Sequence, residues 1–468
     1  MNLKTITNLL CSLLVVSLSG VTEANTTRPE AEQKLAHDIF KQYIEIQSGF
    51  TTGATTPVVE ATVKRLKEAG FTDKDIFVGG ASPKKANLVV RYRGTGELKP
   101  ILLLAHIDVV EAKRSDWHTD PFQFVEKEGY FYGRGTTDDK DQAAIWIANL
   151  IQYKKEGFKP NRDIIVALTA DEEGSSPYNG VRWLLKNHKH LIDADFALNE
   201  GGWGDASEGK KLANNIQVSE KYILNFQVEA RNKGGHSSLP TQDNAIYQLA
   251  GALGQLAKVE FPYGVNEVTS AYLKERAASE KGPIKADMLA AANGSVDAMK
   301  RLAKLNPQWN ATLHTTCTPT LVEAGHAMNA LPQQAVATIN CRVLPDETPE
   351  SVEQSLQKAI QDPNVKLVRQ GAITKGPSST LRNDVLNTVR TVTNEFWPSV
   401  PTIPVMVMGA TDGRFLRAAG IQTYGISGLF VNHDDVRAHG QDERISVQGF
   451  YESQAYLYEL VKRFASKK

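Results

Sequence analysis

The amino-acid sequence predicts an α/β protein in which a mostly parallel sheet is flanked by helices and carries an inserted, smaller α+β domain. Before residue 218, short apolar runs typical of buried strands alternate with amphipathic helices. From residue 222 apolar and polar residues alternate instead, as in a strand with one exposed face. The length of 468 residues exceeds that of one compact domain and suits two or three.

The larger domain begins with two predicted helices. Apolar residues at helical spacing indicate the first helix, over residues 31–46. Thr56 followed by Pro57 is typical of an N-cap and a first-turn proline, and this second helix is expected to end at Gly70. An amphipathic helix is also expected after Asp138. Strands are predicted at residues 87–93, 101–104, 163–168 and 195–198.

The inserted domain is predicted over residues 218–375, between the two parts of the larger domain at residues 25–217 and 376–468. Its strands are expected at residues 222–230, 315–322, 335–344 and 365–370. Its helices are expected at residues 244–256, 265–305 and 349–361. This succession of elements indicates a small sheet covered by helices.

The charge balance argues against some classes of partner. Lys and Arg number 53, Asp and Glu also number 53, and the formal net charge is therefore zero. Proteins that bind nucleic acid or anionic membranes usually carry a basic excess. We therefore expect neither of these as the main partner.

The N-terminus has the layout of a signal peptide over residues 1–24. Lys4 supplies a positive charge, residues 9–18 form an apolar stretch, and small residues precede a plausible cleavage site after Ala24. The apolar stretch is short for a membrane span, and Cys11 lacks the preceding small residues of a lipid-attachment site. The mature protein is therefore expected to be exported, periplasmic or secreted, without a membrane anchor.

Only Cys317 and Cys341 remain after this cleavage. In an oxidising compartment two cysteines can form a disulfide. Both lie on predicted strands, and an antiparallel hairpin would bring them roughly opposite one another. A cross-strand disulfide is the prediction, and two separate buried thiols are the alternative.

Polar side chains recur where predicted strands end. His106 and Asp108 follow one strand, Glu172 and Glu173 follow the next, and Glu200 follows a third. The carboxyl ends of parallel strands meet at one edge of a sheet, which is where ligands bind in such folds. Carboxylates gathered there would raise one another's pKa, and a cation would remove this penalty.

Each of these residues also has a simpler interpretation. A single buried histidine is often a hydrogen-bonded core residue. Asp138 would serve well as a helix N-cap, and the glutamates would be ordinary solvated loop residues. The repetition of the pattern favours a metal site over these alternatives.

Six short motifs follow one another along the chain. They are His106-Ile-Asp108, Gly133-Arg-Gly-Thr-Thr-Asp138-Asp-Lys140, Asp171-Glu172-Glu173-Gly174, Asn199-Glu200-Gly201, Gly235-His236-Ser237-Ser238 and His439-Gly-Gln-Asp-Glu443. Taken together, these motifs resemble those of the M20 metallopeptidases, a group of dinuclear zinc carboxypeptidases, dipeptidases, aminopeptidases and aminoacylases. The resemblance covers nearly all of the mature chain, and it implies a zinc-peptidase catalytic domain with an inserted lid or dimerisation domain.

The resemblance implies a role for each residue of the site. His106 and Glu200 would bind one Zn²⁺, Glu173 and His439 would bind the other, and Asp138 would bridge the two. Asp108 would orient His106, and Glu172 would be the general base. The peptide bond between Asp138 and Asp139 would be cis. Co²⁺ or Mn²⁺ would be accepted as substitutes by the same ligands.

Two positions depart from the family pattern without touching a predicted ligand. Glu111 stands where proline is usual, and Asp141 stands where glycine is frequent. The metal chemistry is therefore expected to be retained.

Further residues match substrate-binding positions of the family. Arg342 would hold a substrate carboxylate, Asn329 would contact the substrate, and Gly409 and Thr411 would lie beneath that carboxylate. His236 would help to stabilise the oxyanion, and in dimeric relatives the equivalent histidine enters the partner's site. A homodimer through the inserted domain is therefore predicted, although the helical segment at residues 265–305 would also be able to replace a partner. The alternative for each residue is a surface or hinge position.

These roles predict an exported metallopeptidase that hydrolyses the amide bond next to a free C-terminal carboxylate, as a carboxypeptidase or dipeptidase does. An N-acyl-amino-acid hydrolase, or aminoacylase, is the close alternative, because the helical segment resembles that of the larger family members. A solute-binding protein without catalysis is a remote alternative. The presence of Glu172 argues against it, since a binder needs no general base.

Overall fold

The computed structural model describes residues 26–174 and 177–466. The predicted signal peptide, together with Cys11, lies outside the described residues. Within the described residues, no helix is both long and apolar enough to cross a membrane.

Fourteen α-helices occur in the described chain. They are α1 (Glu30–Ile44), α2 (Thr56–Glu68), α3 (Lys140–Glu156), α4 (Gly180–Asn187), α5 (Lys189–Ile192), α6 (Ala245–Leu256), α7 (Glu267–Ala277), α8 (Gly282–Ala292), α9 (Val296–Leu305), α10 (Pro307–Leu313), α11 (Pro349–Ala359), α12 (Asn383–Phe396), α13 (Gly413–Ala418) and α14 (Val447–Phe464).

Nineteen strands accompany these helices in the described residues. They are β1 (Ile76–Gly80), β2 (Ala86–Tyr92), β3 (Ile101–His106), β4 (Val125–Lys127), β5 (Tyr130–Tyr132), β6 (Ile164–Thr169), β7 (Phe196–Asn199), β8 (Gly204–Ser207), β9 (Lys210–Glu220), β10 (Tyr222–Arg231), β11 (Gly235–His236), β12 (Thr316–Ala324), β13 (Ala330–Leu331), β14 (Gln334–Val343), β15 (Val365–Gln370), β16 (Thr402–Val407), β17 (Gln422–Gly425), β18 (Phe430–Asn432) and β19 (Arg444–Ser446).

A ten-stranded sheet organises the larger domain, with the strand order β1-β2-β6-β3-β7-β17-β9-β8-β18 and with β16 paired to β9. The central strands β6, β3, β7 and β17 run parallel, and antiparallel pairs occur towards both sides. The prediction of an α/β fold with a mostly parallel central sheet is therefore confirmed. Because the central strands are parallel, their carboxyl ends meet at one edge.

The central strands are apolar along their whole length because helices cover both faces of the sheet. Every residue of β3 and β6 is buried. Helices α1, α3 and α14 pack on one face, and the core there includes Trp146, Tyr153 and Tyr456. Helices α4 and α13 pack on the other face, against Leu102 and Ile165. This double cover holds the strand ends, and hence the residues that follow them, in fixed positions.

The inserted domain is a four-stranded antiparallel sheet with the order β12-β14-β10-β15. Helices α6 and α11 cover one face through a separate apolar core. Its first strand begins at Tyr222, whereas Val218 still belongs to β9, which runs to Glu220 in the large sheet. The predicted boundary at residue 218 is therefore too early, because β9 pairs with β16 up to Glu220.

Helices α7 to α10 form a helical segment of their own within the inserted part of the chain, where one long helical stretch was predicted. They share a small core that includes Leu273, Met288 and Leu302. However, α7 packs against β16 of the large sheet, and Val268 joins the main core. The helical segment is therefore attached to the larger domain, although the sequence places it inside the insertion.

The predicted start of the second helix differs from the structure by one residue. Helix α2 begins at Thr56 itself, so Thr55 is the N-cap and Pro57 lies in the first turn. The reason is that Thr55 is tied back by hydrogen bonds to the carbonyl groups of Lys84 and Ala86. Strand β1, which the sequence analysis omits, pairs with β2 at the edge of the sheet.

A disulfide joins Cys317 on β12 to Cys341 on β14, as predicted. The two residues are partners in the antiparallel register. Cys341 is fully buried in the core of the small sheet. The disulfide therefore fastens the outer strand β12 to the centre of the inserted domain.

We expect the double variant Cys317→Ala/Cys341→Ala to lower the free energy of unfolding of the inserted domain by about 3 kcal/mol, since the bridge closes a loop with a sequence separation of 24 residues. Chemical denaturation followed by circular dichroism measures this difference. Reduction of the wild-type protein should give a similar loss. An unchanged unfolding midpoint in both experiments would contradict the expected contribution.

Candidate metal centre

The parallel central strands deliver several polar residues to one edge of the large sheet. His106 is the last residue of β3 and is paired in register with Thr169, the last residue of β6. The loop that carries Glu172 and Glu173 starts two residues later, and Glu200 directly follows β7. The expectation from strand ends is therefore correct, since these side chains converge.

Two groups of candidate metal ligands share Asp138. One consists of His106, Asp138 and Glu200, and the other consists of Asp138, Glu173 and His439. In each group the ligand atoms lie within 4.8 Å of one another. All five residues predicted as metal ligands are therefore brought together.

The carboxylate of Asp138 lies between the two histidines. Its Oδ1 is 2.9 Å from Nε2 of His106, and its Oδ2 is 3.0 Å from Nε2 of His439. Nε2 of His439 is also 3.1 Å from Oε2 of Glu173. One oxygen thus faces each group, which is the arrangement required of a bridging carboxylate.

Asp138 is not the N-cap of the helix that follows. Helix α3 begins at Lys140, and Asp139 occupies the N-cap position. The peptide bond between Asp138 and Asp139 is cis, as the resemblance implies. The backbone N–H of His106 donates to Oδ2 of Asp139 at 3.3 Å. The side chain of Asp138 is consequently left for the two ligand groups.

A buried carboxylate connects the loop of Asp138 to the loop of His439. Glu443 forms a 2.6 Å ion pair with Arg134 and accepts hydrogen bonds from the backbone N–H groups of Gly135 and Thr137. Both Arg134 and Glu443 are almost completely buried. This connection explains why the tight Gly-Arg-Gly turn and the His439-to-Glu443 motif occur together.

Asp108 acts on the site in a different way from the one expected. Nδ1 of His106 lies 3.0 Å from the backbone carbonyl oxygen of Asp108 but 3.7 Å from its carboxylate. The carboxylate instead accepts hydrogen bonds of 3.1 Å from the backbone N–H groups of Glu172 and Glu173. Asp108 therefore orients His106 through its main chain and holds the glutamate loop through its side chain.

The glutamate loop has a constrained start. Asp171 has a φ of 64°, a left-handed conformation that is uncommon for residues other than glycine. Its carboxylate forms a 2.7 Å ion pair with Lys85, which also donates to the carbonyl oxygen of Phe50. These contacts fix the direction in which Glu172 and Glu173 leave the strand.

The charges of this cluster favour a bound cation. Burial raises the pKa of Glu172 and Glu200, and nearby carboxylates raise both further. Burial disfavours the charged form of Asp138, but hydrogen bonds to His106 and His439 bring its pKa well below the usual value. Hydrogen bonds to Asp138 and Glu173 raise the pKa of His439 to about 10. A bound cation would relieve the repulsion among these carboxylates.

The donor set fits metal binding. Oε1 of Glu172 and Oε1 of Glu173 are buried and have no hydrogen-bond partner among the described residues. Buried charged oxygens are costly unless they are paired or bind a metal. Two histidine nitrogens and three carboxylates are ordinary ligands of zinc. The chain therefore has the residues for two divalent cations, with Asp138 common to both.

A cavity of about 1130 Å³ opens over this centre. Among the residues that line it are Glu172, Glu200 and His439, together with the predicted substrate-binding residues Arg342, Gly409 and Thr411. Arg414 also lines the cavity, and its Nη1 is 3.6 Å from Oε1 of Glu172. The metal centre and three of the predicted substrate-binding residues therefore share one space.

Thr411 is held by a residue that the sequence analysis missed. Glu220 accepts hydrogen bonds from the backbone N–H of Thr411 at 2.7 Å and from its hydroxyl group at 2.9 Å. The same carboxylate forms a buried ion pair with Arg417. Glu220 is the last residue of β9, immediately before the inserted sheet. The sequence offered little signal for this residue, because β9 mixes polar and apolar residues along its length.

Two predicted substrate-binding residues are not brought to the cavity. His236 and Asn329 are exposed and do not line it. They lie together at one end of the inserted domain, where the backbone N–H of Ser237 donates to the carbonyl oxygen of Asn329. Within a single chain, the structure therefore does not join these two residues to the metal centre.

Comparison with known proteins relates the whole chain to one family. The profile of peptidase family M20/M25/M40 matches residues 102–463. The N-fatty-acyl-amino acid synthase/hydrolase PM20D1 of Homo sapiens is 29% identical over 374 residues, which are 78% of this chain and 74% of that protein. Aminoacylase-1A of Rattus norvegicus is 27% identical over 463 residues, which are 94% of this chain and 98% of that protein.

A solved structure agrees in fold. The M20 family metallo-carboxypeptidase Sso-CP2 from Sulfolobus solfataricus superimposes with a TM-score of 0.69 at 18% sequence identity. The superposition covers 92% of this chain and 99% of that chain. At this level of identity the agreement concerns the fold alone.

We expect the purified chain to bind two divalent cations, and single variants to separate the two positions. Glu200→Ala should lose one cation, because Glu200 belongs only to the group with His106, and His439→Ala should lose the other. Asp138→Ala should lose both, since its carboxylate is common to the two groups. Inductively coupled plasma mass spectrometry on equilibrated protein measures the stoichiometry.

His118→Ala is the matched control. His118 pairs with Asp442 near His439, but its side chain is 84% exposed and belongs to neither group. The metal content of this variant should equal that of the wild type. Retention of both cations in Asp138→Ala would contradict the bridging assignment.

Proposed function

The chain belongs to peptidase family M20/M25/M40 and is a metal-dependent hydrolase of amide bonds; from this premise we propose that its substrates carry a free carboxylate next to the scissile amide. The single observation that supports the proposal is the pair of guanidinium groups, from Arg342 and Arg414, in the cavity that contains the acidic centre. Burial and the charge of Arg414 lower the pKa of Arg342. Two neighbouring cations of this kind favour an anion between them, and a planar carboxylate suits a guanidinium fork.

The cavity also contains apolar and aromatic side chains among its polar lining, and these favour an apolar group on the acyl side. Leu212, Ile223 and Met406 line it, together with aromatic residues of the helical segment. We therefore rank hydrolysis of N-acyl amino acids with apolar acyl groups first. The hydrolases of acyl amino acids among the relatives support this order. Cleavage of small peptides by a carboxypeptidase or dipeptidase activity is the second candidate, since a peptide offers the same amide and carboxylate.

Different residues of the chain have different roles in the proposed reaction. Glu172 lies in the cavity with its Oε1 buried, and it takes the proton of the attacking water and delivers it to the leaving nitrogen. Arg342 orients the substrate through its carboxylate, and Thr411, fixed by Glu220, lies beneath it. Bound zinc lowers the pKa of water to about 7 and polarises the carbonyl group. We propose Zn²⁺ as the native metal, with Co²⁺ or Mn²⁺ as substitutes.

We further propose a homodimer through the inserted domain. Strand β12 is an outer strand of the small sheet, and seven of its nine residues are exposed. Its side chains Leu321 and Val322 are 62% and 59% exposed. Long exposed apolar edge strands are ready to pair with another chain. A second copy paired there would account for the exposed positions of His236 and Asn329, because these residues would then serve the partner's cavity.

Export to a periplasmic or extracellular compartment is also part of the proposal. The disulfide between Cys317 and Cys341 supports it, because such bonds persist in oxidising compartments. The test of export is the N-terminus of the mature protein. Mass spectrometry of protein isolated from its own host should find a chain that begins at Asn25.

We expect the zinc-loaded protein to hydrolyse N-acyl amino acids that have a free carboxylate. The kcat/KM for the corresponding carboxamides should be lower by about a hundredfold, because the guanidinium pair would lose its ion partner. Glu172→Gln should lower kcat by about 10²- to 10⁴-fold while the metal content stays unchanged. A panel of N-acyl amino acids, dipeptides and longer peptides, analysed by release of the free amino acid, measures both effects.

Arg342→Met supplies the control for the carboxylate assignment. This variant should raise KM for the free acids and largely remove the difference between acids and carboxamides. Turnover confined to dipeptides or longer peptides would favour the second candidate. Binding of substrates without turnover in the zinc-loaded wild type would contradict the catalytic proposal.

We expect an equal mixture of His236→Ala and Glu172→Gln subunits to recover activity that neither variant has alone. In a mixed dimer the Glu172→Gln subunit would lend His236 to the intact centre of its partner, and subunit exchange should yield about a quarter of the wild-type rate. Steady-state assays after mixing, with light scattering for the mass, measure this recovery.

Val322→Lys tests the β12 surface itself, and this variant should be a monomer. When Val322→Lys is added to both the His236→Ala and the Glu172→Gln variants, mixing the two should recover no activity. Leu305→Lys is the matched control, because Leu305 is 61% exposed on α9, away from β12. A wild-type monomer in solution would contradict the proposed dimer.

A further inference from the structure

The helical segment of α7 to α10 forms one wall of the cavity. Five of the residues that line the cavity belong to it, namely Tyr272, Arg276, Asn306, Gln308 and Trp309. They face the same space as Glu172 and His439. The substrate therefore meets this wall in the same chain that supplies the metal ligands.

The wall is fixed to the larger domain. Helix α7 packs against β16 through Val268, which is buried in the main core. Arg276 lies 3.6 Å from Asp205 on β8, and Glu275 lies 3.2 Å from Arg390 on α12. These contacts cross from the helical segment to the large sheet and its helices. The wall is thereby held against the domain that carries the candidate metal ligands.

Two aromatic residues of the wall, Tyr272 and Trp309, line the cavity. Burial raises the pKa of Tyr272. The side chain of Asn306 accepts hydrogen bonds from the backbone N–H groups of Gln308 and Trp309, which fixes the start of α10. Aromatic side chains of this kind offer a large apolar surface to a ligand.

Apolar side chains of the large sheet line the cavity as well. Leu212 on β9 and Met406 on β16 are among them, and methionine adapts its shape to different apolar ligands. Alkyl and aryl groups suit such side chains. The reacting amide, by contrast, needs the acidic centre and the arginines.

We infer that Tyr272 and Trp309 form the subsite for the apolar acyl group of the substrate and set the acyl length that the enzyme prefers. This inference rests on the proposed function, since it names the residues that receive the acyl side of the amide. Trp309 and Tyr272 are specificity-determining residues, because they contact the substrate away from the reacting atoms.

The test compares N-acyl derivatives of one amino acid, from acetyl to octadecanoyl. Trp309→Leu should lower kcat/KM for the long-chain substrates by about tenfold or more, because apolar area is no longer buried, and should leave N-acetyl substrates unchanged within about twofold. Trp309→Phe should retain most of the long-chain preference. Leu305→Ala is the matched control, since Leu305 belongs to the same helical segment but does not line the cavity.

A binding measurement provides a second readout without turnover. In the Glu172→Gln background, Trp309→Leu should weaken the affinity for an N-hexadecanoyl amino acid by about tenfold and leave that for the N-acetyl compound unchanged, as measured by calorimetry. Thermal unfolding of each variant identifies loss of fold. If Trp309→Leu fails to fold, the same comparisons with Tyr272→Leu decide the assignment.

The outcomes separate this inference from the proposed function. If the wild type hydrolyses no N-acyl amino acid, the proposed substrate class is wrong and the subsite falls with it. If the wild type hydrolyses them and Trp309→Leu keeps the wild-type profile of acyl length and affinity, only the subsite is wrong. A uniform loss at every acyl length would also contradict the subsite, since it indicates a structural role.

Discussion

The gathering of carboxylates at one edge of a buried sheet is the constraint on which the rest of this structure depends. Glu172, Glu173 and Glu200 meet there because the central strands are parallel and end together, and Asp138 joins them from the turn before α3. Without a cation, their repulsion and burial raise the pKa of Glu172 and Glu200. Such an arrangement is costly for folding alone, and it is favourable once divalent cations occupy the centre.

A set of buried contacts behind the ligands maintains this geometry. Glu443 fastens the loop of Asp138 to the loop of His439, and Asp108 holds the backbone of Glu172 and Glu173. Glu220 does the same for Thr411 on the opposite side of the cavity. Each of these carboxylates accepts hydrogen bonds from the backbone N–H groups of a loop. These contacts hold the loops beside the candidate ligands, as a metal centre requires.

The three parts of the chain have separate tasks around the cavity. The large sheet supplies the acidic centre, the small sheet supplies Arg342, and the helical segment supplies an aromatic wall. The helical segment packs on the large sheet through α7 and β16, whereas Arg342 lies on β14 of the small sheet. Arg342 and the aromatic wall therefore belong to different parts of the chain.

The sequence by itself determined the fold class and most element positions, and it predicted the disulfide and the five candidate metal ligands that the structure brings together. Hydrophobic periodicity is a local signal, and residues that follow parallel strands must meet at one edge. Only the tertiary structure decided that Asp139 rather than Asp138 caps α3, that Asp108 holds the glutamate loop, that Glu220 holds Thr411 and that α7 joins the large sheet. It also decided that His236 and Asn329 lie away from the cavity of their own chain. These facts depend on loop conformations and on packing between residues far apart in sequence, which periodicity and spacing do not encode.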